Sequence, residues 1–92
     1  MKVNFYSTLR MVVGEKTVEV ALEAGGTVSQ LVAVMIQSYP ALKREILDDS
    51  GRLYRHINVI VNGRSAPFLE NGMDTVLRQE DTVSIFPAVG GG

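Results

Sequence analysis

Between Gly25-Gly26 and Pro40 the chain carries its one long amphipathic stripe, and that stripe has to be covered. Val28, Leu31, Val32, Met35 and Tyr39 recur at three- and four-residue intervals, so they line one face of a helix. Thr27 stands as N-cap with Gln30 three residues on, the spacing of a capping box. Pro40 limits the helix near Tyr39. A single helix of this kind needs a sheet face to bury its apolar side.

The remaining residues supply that face. Residues 2–8 read as a strand, with Val3 and Phe5 on one side and Asn4 and Tyr6 on the other. After a polar stretch around Gly14 and Glu15, residues 16–22 alternate, with Val18 and Val20 opposite Thr17 and Glu19. Strand, short link, strand predicts an antiparallel pair. Residues 41–47 suit a short turn of helix, and Asp48-Asp49-Ser50-Gly51 a loop. His56 to Asn62 is a third strand, with Ile57, Val59 and Val61 pointing one way and His56, Asn58 and Ile60 the other. Asn62-Gly63 predicts a tight hairpin turn into a short strand near Ser65 and Ala66. Pro67 weakens any longer strand there. Asn71-Gly72 predicts a turn, residues 74–77 a helical turn, and Thr82 to Pro87 the last strand with Val83 and Ile85 inward. The expected fold class is α+β: a mixed sheet of four to five strands wrapped on one main helix, the β-grasp arrangement. Residues 1–87 are expected to form this domain, and residues 88–92 a flexible tail.

Composition narrows the function classes. A chain of 92 residues makes one domain, and 46% hydrophobic content argues against disorder. A net charge of −1 without a long run of either sign argues against a nucleic-acid partner. No apolar run approaches a membrane span, and the opening residues read as a strand, so the expected compartment is the cytoplasm and no membrane partner is expected. The absence of cysteine removes disulfides, thiolate metal sites and a cysteine nucleophile together. A single histidine, His56, excludes a His-rich cluster, and no metal is expected.

The sheet's second face breaks a rule. Its positions should be mostly polar where it meets water. Lys2, Asn4, Asn58, Thr82 and Ser84 comply, whereas Tyr6, Ile60 and Phe86 do not. On neighbouring strands these three make an apolar patch of the kind that marks a partner surface; the alternative is scattered surface hydrophobes. Phe86 also stands at the root of Ala88-Val89-Gly90-Gly91-Gly92. Three bare glycines add nothing to a core, but they let something narrow reach the Gly92 carboxylate. Extended at ~3.3–3.6 Å per residue, the stretch after Phe86 spans roughly 20 Å.

Sheet, helix, Phe86-Pro87-Ala88-Val89 and terminal Gly-Gly together resemble the β-grasp sulfur carriers, which include the small subunit of molybdopterin synthase and the thiamine-pathway carrier. The resemblance covers essentially the whole chain. Residues 51–55, 57–62 and 81–89 are especially similar to the bacterial cysteine-biosynthesis carriers, and to archaeal carriers that double as protein modifiers. The resemblance implies that a ubiquitin-activating-type adenylyltransferase uses ATP to activate the carboxylate of Gly92. A sulfur donor, with sulfide as the transferred group, then makes a thiocarboxylate. A biosynthetic enzyme, of the cysteine or molybdopterin type, accepts the sulfur. Gly90 and Gly91 would line the partner's channel, and Tyr6, Ile60 and Phe86 match the family's docking surface. Some relatives are trimmed by a metalloprotease. The protein would bind no cofactor itself and act as a cosubstrate rather than an enzyme. Ala88 stands where the family often has a second proline, and Gly90 precedes the Gly-Gly where another residue is usual.

Two other readings stand beside the carrier: a ubiquitin-like modifier conjugated to lysines through Gly92, and a plain β-grasp binding module. Smaller signals have ordinary explanations. Gly25-Gly26 lacks a Walker pattern and reads as a turn. Asp48-Asp49-Ser50-Gly51 lacks the spaced calcium ligands and reads as a solvated loop. His56 reads as a surface residue at a strand start. Arg52, Arg55 and Arg64, around the third strand, fit either an acidic partner or a solvated face.

Overall fold

The computed structural model describes residues 1–65 and 69–88. The expected strand position Ala66, Pro67, and the tail from Val89 to Gly92 lie outside the described residues. The elements run β1 (Lys2–Phe5), α1 (Ser7–Val13), β2 (Thr17–Glu19), α2 (Val28–Ser38), α3 (Leu42–Ile46), β3 (Ile57–Val61), β4 (Arg64–Ser65), a 3-10 turn at Gly72–Asp74, and β5 (Val83–Pro87).

Alternation builds the sheet, whose order is β2-β1-β5-β3-β4. β1 pairs antiparallel with β2, opposing Val3 to Val18, and parallel with β5, opposing Phe5 to Ile85. β5 pairs antiparallel with β3, opposing Ile85 to Val59. The inward residues of β1, β3 and β5 are all buried, and so are Val28, Leu31, Val32 and Met35 of α2. The stripe and the sheet face therefore cover each other in a β-grasp arrangement. β5 sits at the centre of the sheet because its neighbours on both sides are needed to bury Val83 and Ile85, which have no exposed surface.

Local chemistry sets the element ends. Thr27 and Gln30 form the full capping box: the Gln30 amide donates to Thr27 Oγ1 (3.2 Å), and the Thr27 amide to Gln30 Oε1 (2.8 Å). The Val28 amide donates to the Thr75 carbonyl at 3.1 Å. These bonds take up first-turn donors that a phosphate would need, and Gly25-Gly26 is a turn. At the Asn62-Gly63 hairpin both residues have positive φ, 50° and 85°, as a two-residue turn between right-twisted strands requires. Asp48 Oδ1 accepts from the Ser50 and Arg52 amides at 2.8 and 3.0 Å, so its carboxylate closes its own loop.

Two expectations need correction. The first strand does not reach residue 8; it ends at Phe5, and Ser7–Val13 is a helix. Leu9, Val12 and Val13 have i, i+3, i+4 spacing, and Gly14 closes the helix at φ 90°, its amide bonded to the Arg10 carbonyl at 2.8 Å. Seven residues with one fully buried side chain leave too little periodicity to outweigh β-branched Thr8, Val12 and Val13, so packing of Leu9 decides. The second correction concerns residues 74–77. The helical turn lies earlier, at Gly72–Asp74, and Val76 forms an isolated bridge with Thr27. The Leu77 amide donates to the Gly26 carbonyl at 2.8 Å, which burial of Leu77 in the core makes worthwhile.

Candidate functional site

The register of the three central strands brings together side chains far apart in sequence. On the outer face, Asn4 opposes Ser84 and Ser84 opposes Ile60, while Phe86 opposes Asn58. Phe86 and Ile60 are thus diagonal neighbours across β5 and β3, a spacing that large side chains bridge. Tyr6 lies just past β1, yet its amide still donates to the Ile85 carbonyl at 3.2 Å. That bond holds Tyr6 beside Phe86, whose ring it meets edge-on, with centroids 6.2 Å apart and an interplanar angle of 87°.

Tyr6, Ser7, Ile60, Ser84, Phe86 and Pro87 form one shallow, mostly apolar hollow on the open face of the sheet. Tyr6 is exposed, and Ile60 and Phe86 are partly so. The three outward hydrophobes read from the sequence are therefore brought together. Ser7 turns the chain into α1 with φ 57°, a left-handed conformation unusual for serine, and this takes β1 away from β5 beside Pro87. The Lys16 ammonium stands 5.9 Å from the Tyr6 ring centroid and gives the hollow a cationic edge. Thr17 donates to Asn4 Oδ1 at 2.7 Å, so the row beyond the patch is polar.

The patch adjoins the root of the C-terminal segment. The Ala88 amide donates to the His56 carbonyl at 2.6 Å, extending the β5–β3 ladder one pair beyond Pro87. The His56 ring stacks on Tyr54, with centroids 5.2 Å apart and planes 25° apart. His56 is exposed. Gly90, Gly91 and Gly92 lie outside the described residues. Residue reading missed the contributions of Lys16, Pro87 and Tyr54. The Lys16–Tyr6 contact depends on β2 folding back along β1, which the sequence predicted, and on the chain leaving β1 at Tyr6 for α1, which it did not.

Arg52, Arg55 and Arg64 do not share one surface feature. Arg52 and Arg55 border a groove between α2 and β3 on the helix side of the sheet. Arg64 is exposed on β4, where it pairs with the inward residue Val61. Among the described residues, none of the three has an ionic partner. No helix there is long and apolar enough to cross a membrane.

The model of the ThiS family matches residues 3–92. Small archaeal modifier protein 3 of Haloferax volcanii is 35% identical over 92 residues, covering 100% of this chain and 98% of that protein. Sulfur carrier protein CysO of Mycobacterium tuberculosis is 31% identical over 81 residues, 86% of this chain and 83% of that one. A chain in the crystal structure of the Amycolatopsis orientalis BexX/CysO complex superposes with a TM-score of 0.80 at 32% identity, covering 99% of this chain and 98% of that chain.

Proposed function

The chain belongs to the ThiS family, and from that premise we propose that it is a sulfur carrier whose working group is the Gly92 carboxylate. The observation that carries this reading is the Tyr6–Ile60–Phe86 patch: a partly exposed apolar surface that includes Phe86 of β5, the strand followed in sequence by the glycine tail. A partner seated there has a fixed origin from which to receive residues 88–92. Similarity to a chain crystallised as part of a BexX/CysO complex supports a role among partner enzymes.

The chemistry suits the terminus. A carboxylate is a poor acyl donor because oxide is a poor leaving group. In the proposed sequence an oxygen of the Gly92 carboxylate attacks the α-phosphorus of ATP, and pyrophosphate leaves. Hydrosulfide then attacks the acyl-adenylate carbon, AMP leaves with the electron pair of the broken C–O bond, and the S–H proton passes to water. The product is a thiocarboxylate, which a biosynthetic enzyme of the cysteine or molybdopterin type consumes. Gly90 and Gly91 carry no Cβ to obstruct the approach. ATP and the sulfur donor are used by the activating adenylyltransferase; the carrier is a cosubstrate. A metalloprotease that trims or releases the tail is a further proposed partner.

A second reading, a protein modifier joined to lysines through Gly92, has its own support in the full-length similarity to small archaeal modifier protein 3. Both readings begin with the same activated terminus, and a mass experiment separates them. After incubation with the cognate activating enzyme, ATP and sulfide, the carrier gains the mass difference between one sulfur and one oxygen. Ladders of larger conjugates in extract mark the modifier, and no change in either assay leaves a binding module. Deletion of Gly92 should abolish the mass gain without changing the melting temperature. A gain that persists in that variant refutes the assignment of Gly92.

A further inference from the structure

Behind the outer patch, on the other side of β3, lies a groove that the tail chemistry does not use. Val32, Ala33 and Ile36 of α2 form one wall, and Leu53, Ile57 and Val59 the other. Its volume is about 610 Å³, within the size range of functional clefts. Apolar atoms dominate its lining, and it opens to solvent along one side. Arg52 and Arg55 stand at its border, both exposed and without an ionic partner among the described residues. Glu45, Asp48 and Asp49 are nearby in sequence, but Asp48 is engaged with the Ser50 and Arg52 amides rather than with a guanidinium.

An apolar trough with two guanidinium groups at its edge is complementary to hydrophobic side chains flanked by carboxylates. Arginine suits this because its planar fork binds a carboxylate through two parallel hydrogen bonds. Arg55 directly precedes His56, whose carbonyl holds Ala88 at the root of the tail. The groove therefore borders the same exit as the outer patch, from the opposite face. β3 separates the two surfaces, since Ile57 and Val59 face the groove while Ile60 faces the patch.

We infer that this groove is a second docking surface, taking an acidic, hydrophobic peptide segment of a partner protein. It rests on the proposed carrier role only in supplying a reason for two surfaces: a tail that is loaded by one partner and unloaded by another is served by sites that can be occupied independently. The binding chemistry itself needs no activated terminus.

The test uses the intact chain, labelled with ¹⁵N, and two synthetic peptides: acetyl-Glu-Leu-Phe-Asp-Leu-amide and its counterpart with Lys in both acidic positions. The acidic peptide is expected to shift the amide signals of Val32, Ile36, Leu53 and Ile57 and to leave Tyr6 and Phe86 unmoved. Arg52→Ala and Arg55→Ala should each weaken that binding about fivefold or more, because each removes a charge-assisted contact. Both positions are exposed, and unchanged melting would show that the variants fold. Equal binding of the lysine peptide, shifts centred on Phe86, or no saturable shift at millimolar peptide overturns the inference. So does binding of decanoate at these residues without binding of the peptide, which would make the groove a small-molecule site. None of these outcomes bears on the Gly92 mass gain, so the two readings fail separately.

Discussion

Phe86→Asp separates the docking patch from the fold, and the structure sets the expected sizes. The Phe86 ring is already more than half covered by its neighbours. A partner therefore gains only part of the ~1.5–3 kcal/mol available from burying a phenylalanine, about 0.5–1 kcal/mol. Phe86→Ala would change affinity by no more than about fivefold, too little to decide the matter. An aspartate behaves differently, because docking would have to strip water from a carboxylate, costing several kcal/mol. The expected loss is about 100-fold or more in Kd. The fold should survive. Losing the edge-on contact with Tyr6 costs ~0.5–1.5 kcal/mol, and poorer strand propensity adds up to ~1 kcal/mol. Against a total of ~5–15 kcal/mol this lowers the melting temperature by about 2–20 °C. The assay is isothermal titration of the cognate activating enzyme at low temperature, beside a thermal melt. Thr17→Asp, on the same face but at the β2 edge, is the control and should bind normally. A folded Phe86→Asp variant that binds within threefold of the native chain refutes the docking role, as does an equal loss in the control.

Other predictions follow from particular contacts. Thr27→Ala removes the Oγ1 acceptor of the capping box and should cost about 1 kcal/mol, read as a lower urea midpoint with an unchanged slope; an unchanged midpoint would mean that tertiary packing alone holds the start of α2. Glu19 is held below the usual carboxylate range by its hydrogen bond to the Met1 ammonium (2.9 Å) and by the charge of that group. A depressed carboxylate contributes stability that is complete above its unfolded value and is lost as pH falls through the folded one. The difference in stability between the native chain and Glu19→Gln should therefore be constant near neutrality and shrink in acid. A difference that grows in acid would contradict the assignment.

Much of this architecture was legible in the residues because its signals are local. Strand alternation placed Val3, Phe5, Ile57, Val59, Val83 and Ile85 inward, and all are buried. Thr27 and Gln30 announced a cap that is present on both sides. Asn62-Gly63 announced a two-residue hairpin with both residues at positive φ. The misses share a cause. Ser7–Val13 is helical because Leu9 finds a place in the core, and Thr75–Leu77 is extended because Thr27 and Gly26 offer it backbone partners. Neither reason lies within the segment itself.

The candidate site divides in the same way. Sequence alone determined that Tyr6, Ile60 and Phe86 point away from the core, since the pleat repeats every two residues. It also supplied a cysteine-free chain with glycine at its last three positions. Only the tertiary structure decided that these hydrophobes meet. Parity assigns a face but not a neighbour, and it took the order β2-β1-β5-β3-β4 to set Tyr6 and Ile60 on either side of Phe86. The same order placed Arg52 and Arg55 at a groove behind the patch, with Ala88 paired to His56 between the two surfaces.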